Sequence, residues 1–132
     1  MSTTQSRRAR VAVPLAAVLD LVALIVFVAI GRSSHDEAFS PAGFANTLWP
    51  FLTGAAIGWA VSYIISRDHD FEPGRLVPAG VIVWPSTVVI GMILRVISGQ
   101  GTAVSFCVVA SIATGVFLLS WRAVAALVLR GR

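Results

Sequence analysis

Residues 11–31 decide the fold; they read VAVPLAAVLDLVALIVFVAIG. About 20 consecutive apolar residues allow a helix to cross the hydrocarbon core of a bilayer, and this run reaches that length. It is longer than the roughly 7–15 apolar residues of a secretion signal, and it contains Asp20, which favours a permanent span over a cleaved leader. The run therefore predicts a membrane-spanning helix.

The rest of the chain has the same apolar character. Of its 132 residues, 57% are hydrophobic and 12% are charged, whereas about a quarter of the residues in a soluble domain are charged. Three further runs qualify as spans, and only short connections and short tails remain. The sequence therefore predicts an all-α polytopic membrane protein, a compact bundle of four transmembrane helices that forms one integral membrane domain over residues 1–132. The predicted spans are residues 11–31, 45–66, 78–98 and 103–121.

The distribution of arginine predicts the topology. All ten basic residues are arginine, and positive charge accumulates on the cytoplasmic side of membrane proteins. With both termini in the cytoplasm, the outer side holds only Arg32 and Arg95. The cytoplasmic side then holds Arg7, Arg8, Arg10, Arg67, Arg75, Arg122, Arg130 and Arg132. We therefore predict a multi-pass protein of the inner (plasma) membrane with both termini cytoplasmic, in which the arginines are topology signals and bind no nucleic acid.

The end of the fourth span carries an aromatic residue beside an arginine. Tryptophan is enriched at membrane–water interfaces, so we assign Trp121 to the aromatic belt. We expect residues 123–132 to continue the last helix along the cytoplasmic interface.

Small residues recur at helical spacing in the second span. Gly54 and Gly58 form a G-x-x-x-G pattern, and Ser62 extends it by one turn. Such spacing lets helix backbones approach closely. The fourth span offers a matching small face at Ser111 and Gly115, so the pattern predicts contact between these two spans.

Asp20 is the one acidic residue within a predicted span. An aspartate at the helix centre costs about 2.5–3.5 kcal/mol and usually faces the bundle interior. At about 1.5 Å per residue, Asp20 lies roughly 13 Å from the cytoplasmic boundary, at a depth comparable with Thr87 and Thr114. Two interpretations stay open: a proton or cation site within a layer of hydroxyl groups, or a hydrogen-bonded aspartate that fixes helix register.

A second group of polar residues is expected at the outer end. The stretch GRSSHDEAF, residues 31–39, is unusually charged for this chain. Three interpretations stay open: a salt-bridged cap, contact of two arginines with an anion or substrate, and a metal site. The metal site is the weakest, because adjacent residues rarely converge on one ion. The cluster comprises Arg32, His35, Asp36, Glu37, Asn46 and Arg95.

Four strings carry a family resemblance: GRSSHDE (31–37), TLWPFLTGAAIGW (47–59), VWPSTVVIGMILR (83–95) and GQGTAVSF (99–106). Together they resemble domain-of-unknown-function family 3054, small four-helix membrane proteins found mainly in actinobacteria. The resemblance extends from Asp20 to Arg122. It implies a small integral membrane protein and brings no activity, cofactor or catalytic residue.

These features favour a non-enzymatic role without cofactor or metal, because Cys107 has no histidine in its span and no nucleophile elbow is present. The first hypothesis is a transporter-like bundle with an outward vestibule that leads to Asp20. The alternative is an accessory or assembly subunit of a larger membrane complex. A lipid-modifying enzyme that uses the outer carboxylates is a weaker third option. The expected partners are the lipid bilayer and either a second copy or a larger complex. The candidate binding residues are Asp20, Arg32, His35, Asp36, Glu37, Asn46, Thr87 and Arg95.

Overall fold

The computed structural model describes residues 11–34, 41–66, 71–100 and 104–130. Four long helices make up most of these ranges, and no β-strand occurs within them. The helices are α1 (Val13–Ser34), α2 (Pro41–Ile65), α3 (Val81–Ile97) and α4 (Val104–Arg130). A π-helical turn, Leu76–Gly80, leads into α3 and contains the extended residue Val77 (φ −124°, ψ 128°).

Each helical segment is long and apolar enough to cross a membrane. The segments are Val13–Arg32, Pro41–Ile65, Leu76–Ile97 and Val104–Leu129. The prediction of an all-α protein with four membrane-spanning helices is therefore confirmed for the part of the chain that the structure describes.

Two helix boundaries differ from the predicted spans. Helix α2 begins at Pro41 instead of residue 45. Proline suits the first position of a helix because the N–H group that it lacks would have no partner there. Helix α4 continues to Arg130 instead of ending at residue 121, so the polar pair Trp121–Arg122 does not interrupt it. This agrees with the expectation that the tail continues the last helix.

The helices form a ring in which each packs against the next and α4 returns to α1. Successive helices run antiparallel, as the contact of Trp59 near the end of α2 with Asp20 near the start of α1 illustrates. The start of α1 and the end of α4 therefore lie at the same end of the bundle, here called the terminal end. The opposite end, with the α1–α2 and α3–α4 connections, is the far end.

Close packing joins α2 to α3. A Cβ atom added to Gly54 would lie 2.8 Å from the carbonyl oxygen of Ser86, and one added to Gly58 would lie 2.9 Å from the Cα of Val83. The G-x-x-x-G pattern therefore faces the third helix, and the predicted contact with the fourth helix was wrong. Gly115 of α4 instead accommodates the indole ring of Trp84, which lies 3.0 Å from its Cβ position.

The middle of the bundle is an apolar core. Phe27 and Phe51 meet edge to face there, with ring centroids 5.2 Å apart. The buried core residues are Ala23, Leu24, Phe27, Val28, Phe51, Ala55, Val83, Ala110 and Leu118. In lipid, such contacts stabilise the bundle through close packing, because lipid tails are as apolar as the side chains themselves.

Candidate functional site

Asp20 forms a buried ion pair with Arg122. The guanidinium binds the carboxylate through two bonds, from Nη1 to Oδ1 at 2.8 Å and from Nη2 to Oδ2 at 2.7 Å. Asp20 is 4% exposed and Arg122 is 0% exposed. Such paired bonds match the planar fork of arginine to the carboxylate. The pair therefore joins the first helix to the last.

Two indole groups complete the environment of the carboxylate. Trp59 donates its Nε1–H to Oδ2 at 2.8 Å, and Trp121 donates its Nε1–H to Oδ1 at 2.9 Å. Each carboxylate oxygen thus accepts two hydrogen bonds. An ionised carboxylate has about four acceptor positions, so Asp20 is saturated. We call Asp20, Arg122, Trp59 and Trp121 the clamp.

Arg122 also binds two backbone carbonyl groups. Its Nε–H donates to the carbonyl oxygen of Pro73 at 2.9 Å, and Nη1 donates to that of Leu118 at 2.9 Å. Its Cζ lies 4.5 Å from the centroid of the Trp121 ring, within the range of a cation–π contact. Four of the five guanidinium N–H groups are therefore used, and the arginine contacts α1, α4 and the segment before α3.

Helical spacing explains why these side chains meet. In α1, Ala16, Asp20, Leu24 and Val28 are buried at intervals of four residues, which place side chains on one helix face. In α4, the buried row is Ala110, Thr114, Leu118 and Arg122. Asp20 and Arg122 thus occupy ordinary core-facing positions of their helices.

The clamp differs from the sequence-based expectations. Arg122 was counted among the cytoplasmic topology charges and Trp121 was assigned to the membrane interface, yet both contact Asp20. The expected hydroxyl layer around Asp20 is absent among the described contacts. Thr87 donates to the Val83 carbonyl at 2.7 Å, and Thr114 donates to the Ala110 carbonyl at 2.6 Å. Each of these hydroxyls is satisfied within its own helix.

Breaking the pair is expensive because both charges are desolvated. Removal of one partner of a buried ion pair typically costs about 3–5 kcal/mol, since the other charge is left uncompensated. Replacement of both partners can be far less harmful. The clamp therefore makes the position of α1 depend on α4.

At the far end, Arg32 ties α1 to the start of α2. Its Nη1 donates to the hydroxyl of Thr47 at 2.9 Å and to the carbonyl oxygen of Gly43 at 3.2 Å. The Thr47 hydroxyl also donates to the Gly43 carbonyl at 3.1 Å. Arg32 thus has a structural role in the contact between the first two helices.

Arg95 ties α3 to its neighbours at the same end. It donates to Oε1 of Gln100 at 3.0 Å, and its Cζ lies 4.3 Å from the centroid of the Phe106 ring. Gln100 in turn donates to the backbone carbonyl of Asn46 at 3.1 Å. Arg32 and Arg95 therefore both connect to the first turns of α2, through Thr47 and Asn46.

The remaining members of the predicted outer cluster, His35, Asp36 and Glu37, lie outside the described residues. In the described part of the chain, no group of three or more His, Cys, Asp or Glu residues could hold a metal ion. The apolar core separates the clamp from Arg32 by 12 residues of α1, or roughly 18 Å at the helical rise per residue. Asp20 and the far-end arginines therefore form two sites and not one continuous site.

Sequence reasoning missed Trp59, Trp121, Arg122, Pro73 and Gln100. Arg122 continues the row of core positions at intervals of four residues in α4, which was a usable signal. The hydropathy limit at residue 121 concealed it.

Comparison with known proteins gives a family and no relative of known function. A family model described as "Protein of unknown function (DUF3054)" matches residues 17–125. The match includes Asp20, Trp59, Trp121 and Arg122. No curated protein and no solved structure matches the chain. Since the matched region covers most of the sequence and agrees with the resemblance noted from its motifs, the chain belongs to the DUF3054 family.

Proposed function

We propose that this protein is a non-catalytic integral membrane subunit, a helical scaffold in the inner (plasma) membrane that assembles with a larger membrane complex or with a second copy of itself. Both termini lie in the cytoplasm in this proposal. The arginine distribution supports that orientation, because seven arginines remain on the terminal side once the buried Arg122 is set aside, against Arg32 and Arg95 on the far side.

The saturated carboxylate of Asp20 is the observation that carries the proposal. A site that exchanges a proton or cation needs an acceptor position that the ligand can occupy. Both oxygens of Asp20 already accept two bonds each, from Arg122 and two indoles. Asp20 therefore acts as a fixed anchor that sets helix register.

A carrier remains the competing function. Ionisable residues within a membrane usually mark substrate or proton pathways, and the Asp20–Arg122 pair fits that rule. The apolar core argues against a path through one bundle, because Leu24, Phe51 and Leu118 are buried between the two polar ends. The scaffold is therefore the better account.

Purification from the native membrane in mild detergent separates the two functions. The scaffold predicts a stoichiometric membrane partner, or a stable dimer, in native mass spectrometry. It also predicts that proteoliposomes with the purified protein show no solute flux coupled to a pH gradient. A monomer with pH-gradient-driven flux that Asp20→Asn abolishes, while the variant keeps its helical circular-dichroism spectrum, would establish the carrier instead.

A further inference from the structure

The connection between α2 and α3 folds onto the clamp. We call residues 71–75 the strap. Pro73 within it is fully buried, and its carbonyl oxygen accepts the Nε–H of Arg122 at 2.9 Å. A Cβ atom added to Gly74 would lie 2.8 Å from the Cβ of Val11. The strap therefore packs against the terminal end of the bundle.

Aromatic contacts hold the first residue of the strap. The Phe71 ring meets Trp59 edge to face at 5.7 Å and Tyr63 at 5.4 Å between ring centroids. The second half is held by backbone bonds, from the Arg75 N–H to the Glu72 carbonyl at 3.2 Å and from the Gly80 N–H to the Arg75 carbonyl at 3.0 Å. These two amides report whether the strap is in place.

We propose that Arg122 is a latch that couples Asp20 in α1 to the strap, so that loss of the Asp20 contact releases the strap from the terminal end. The guanidinium is a rigid plane, and one edge holds Asp20 while Nε holds Pro73. The plane cannot leave the carboxylate without also moving Nε away from the Pro73 carbonyl.

Charge gives the release its direction. Without Asp20 the guanidinium is an unpaired charge in a buried position, which is strongly unfavourable. A long arginine side chain relieves that burial by extending toward the nearest water, and the terminal end is the nearer end of the bundle to Arg122. The strap covers this exit, so it must yield as the arginine moves. The state of the first helix is thereby transmitted to the connection between the second and third, whether or not the protein is a scaffold.

Hydrogen–deuterium exchange of the full chain in lipid nanodiscs tests the latch. Two variants break it in different ways. Asp20→Asn removes the charge that holds the guanidinium, and Arg122→Lys keeps a positive charge but replaces the plane with a single donor nitrogen. Both are expected to raise exchange in residues 71–80 by at least about tenfold, as for local opening, while segments 51–58 and 83–91 at the α2–α3 contact stay protected.

Trp121→Phe is the matched control. It removes one hydrogen bond from the same carboxylate and leaves both bonds of the latch intact, so residues 71–80 should exchange as in the wild type. Unchanged exchange of this segment in Arg122→Lys would overturn the proposal, and so would an equal increase in Trp121→Phe. If Asp20→Asn unfolds the whole bundle, the comparison of Arg122→Lys with Trp121→Phe decides the matter.

Discussion

At the scale of single residues, Arg122 is the most connected side chain of the described structure around Asp20. Buried charges are tolerated in proteins when they are paired and hydrogen-bonded, and this pair meets both conditions. The indoles of Trp59 and Trp121 suit the site because each offers one N–H donor on a large apolar body. The clamp thus places two charges among apolar helices without leaving an acceptor of Asp20 unused.

Arg122→Lys tests whether the fork geometry of the arginine matters. We expect the variant to lose about 2–4 kcal/mol of unfolding free energy, because charged hydrogen bonds to Asp20 and Pro73 cannot all be replaced by one ammonium group. Arg95→Lys is the control, since Arg95 is only partly buried and can extend into water. Denaturation by sodium dodecyl sulfate, followed by circular dichroism, measures both variants. Equal losses in the two variants would show that the fork geometry contributes nothing special.

The sequence alone indicated half of this site. An aspartate in an apolar run had to face the interior, and Asp20 does. Its partner is about 100 residues away, and nothing local in the sequence connects the two. Average hydropathy ended the fourth span before Arg122, whereas the helix continues through it because the arginine is neutralised by a charge on another helix.

At the scale of helices, the seam between α2 and α3 depends on the absence of side chains at Gly54 and Gly58. The G-x-x-x-G pattern correctly predicted a close helix contact. It could not identify the partner, because several helices of this chain carry small residues. The structure assigns the contact to α3, where backbone atoms of Ser86, Thr87 and Val83 approach the two glycines.

Gly54→Ala tests the seam. The added methyl group would lie 2.8 Å from a backbone oxygen, so the helices must move apart, and we expect a loss of about 1–3 kcal/mol, as for overpacked cores. Gly31→Ala is the matched control because nothing lies within 4 Å of its Cβ position. There the substitution should be neutral or slightly stabilising, by up to about 1 kcal/mol. The seam assignment fails if the two variants unfold at the same denaturant concentration.

At the scale of the whole molecule, α1 is fastened at both ends by polar contacts and in the middle by the apolar core. Asp20 binds α4 and α2 near the terminal end, and Arg32 binds α2 at the far end. Four spans and their antiparallel order were predictable from length and hydropathy. The separation of the polar groups into two sites was not, because it depends on which side chains fill the space between Asp20 and Arg32.

The most direct test of the clamp as a structural anchor is a double-mutant cycle with Asp20→Asn, Arg122→Gln and the double variant. Unfolding in detergent is measured by circular dichroism, with the fluorescence of Trp59 and Trp121 as a local probe. Each single variant should lose about 3–5 kcal/mol, because it leaves one buried charge unpaired. The double variant should lose at least about 2 kcal/mol less than the sum of the two, the signature of a direct contact. Additive losses would contradict the account, since the two residues would then contribute independently to the fold.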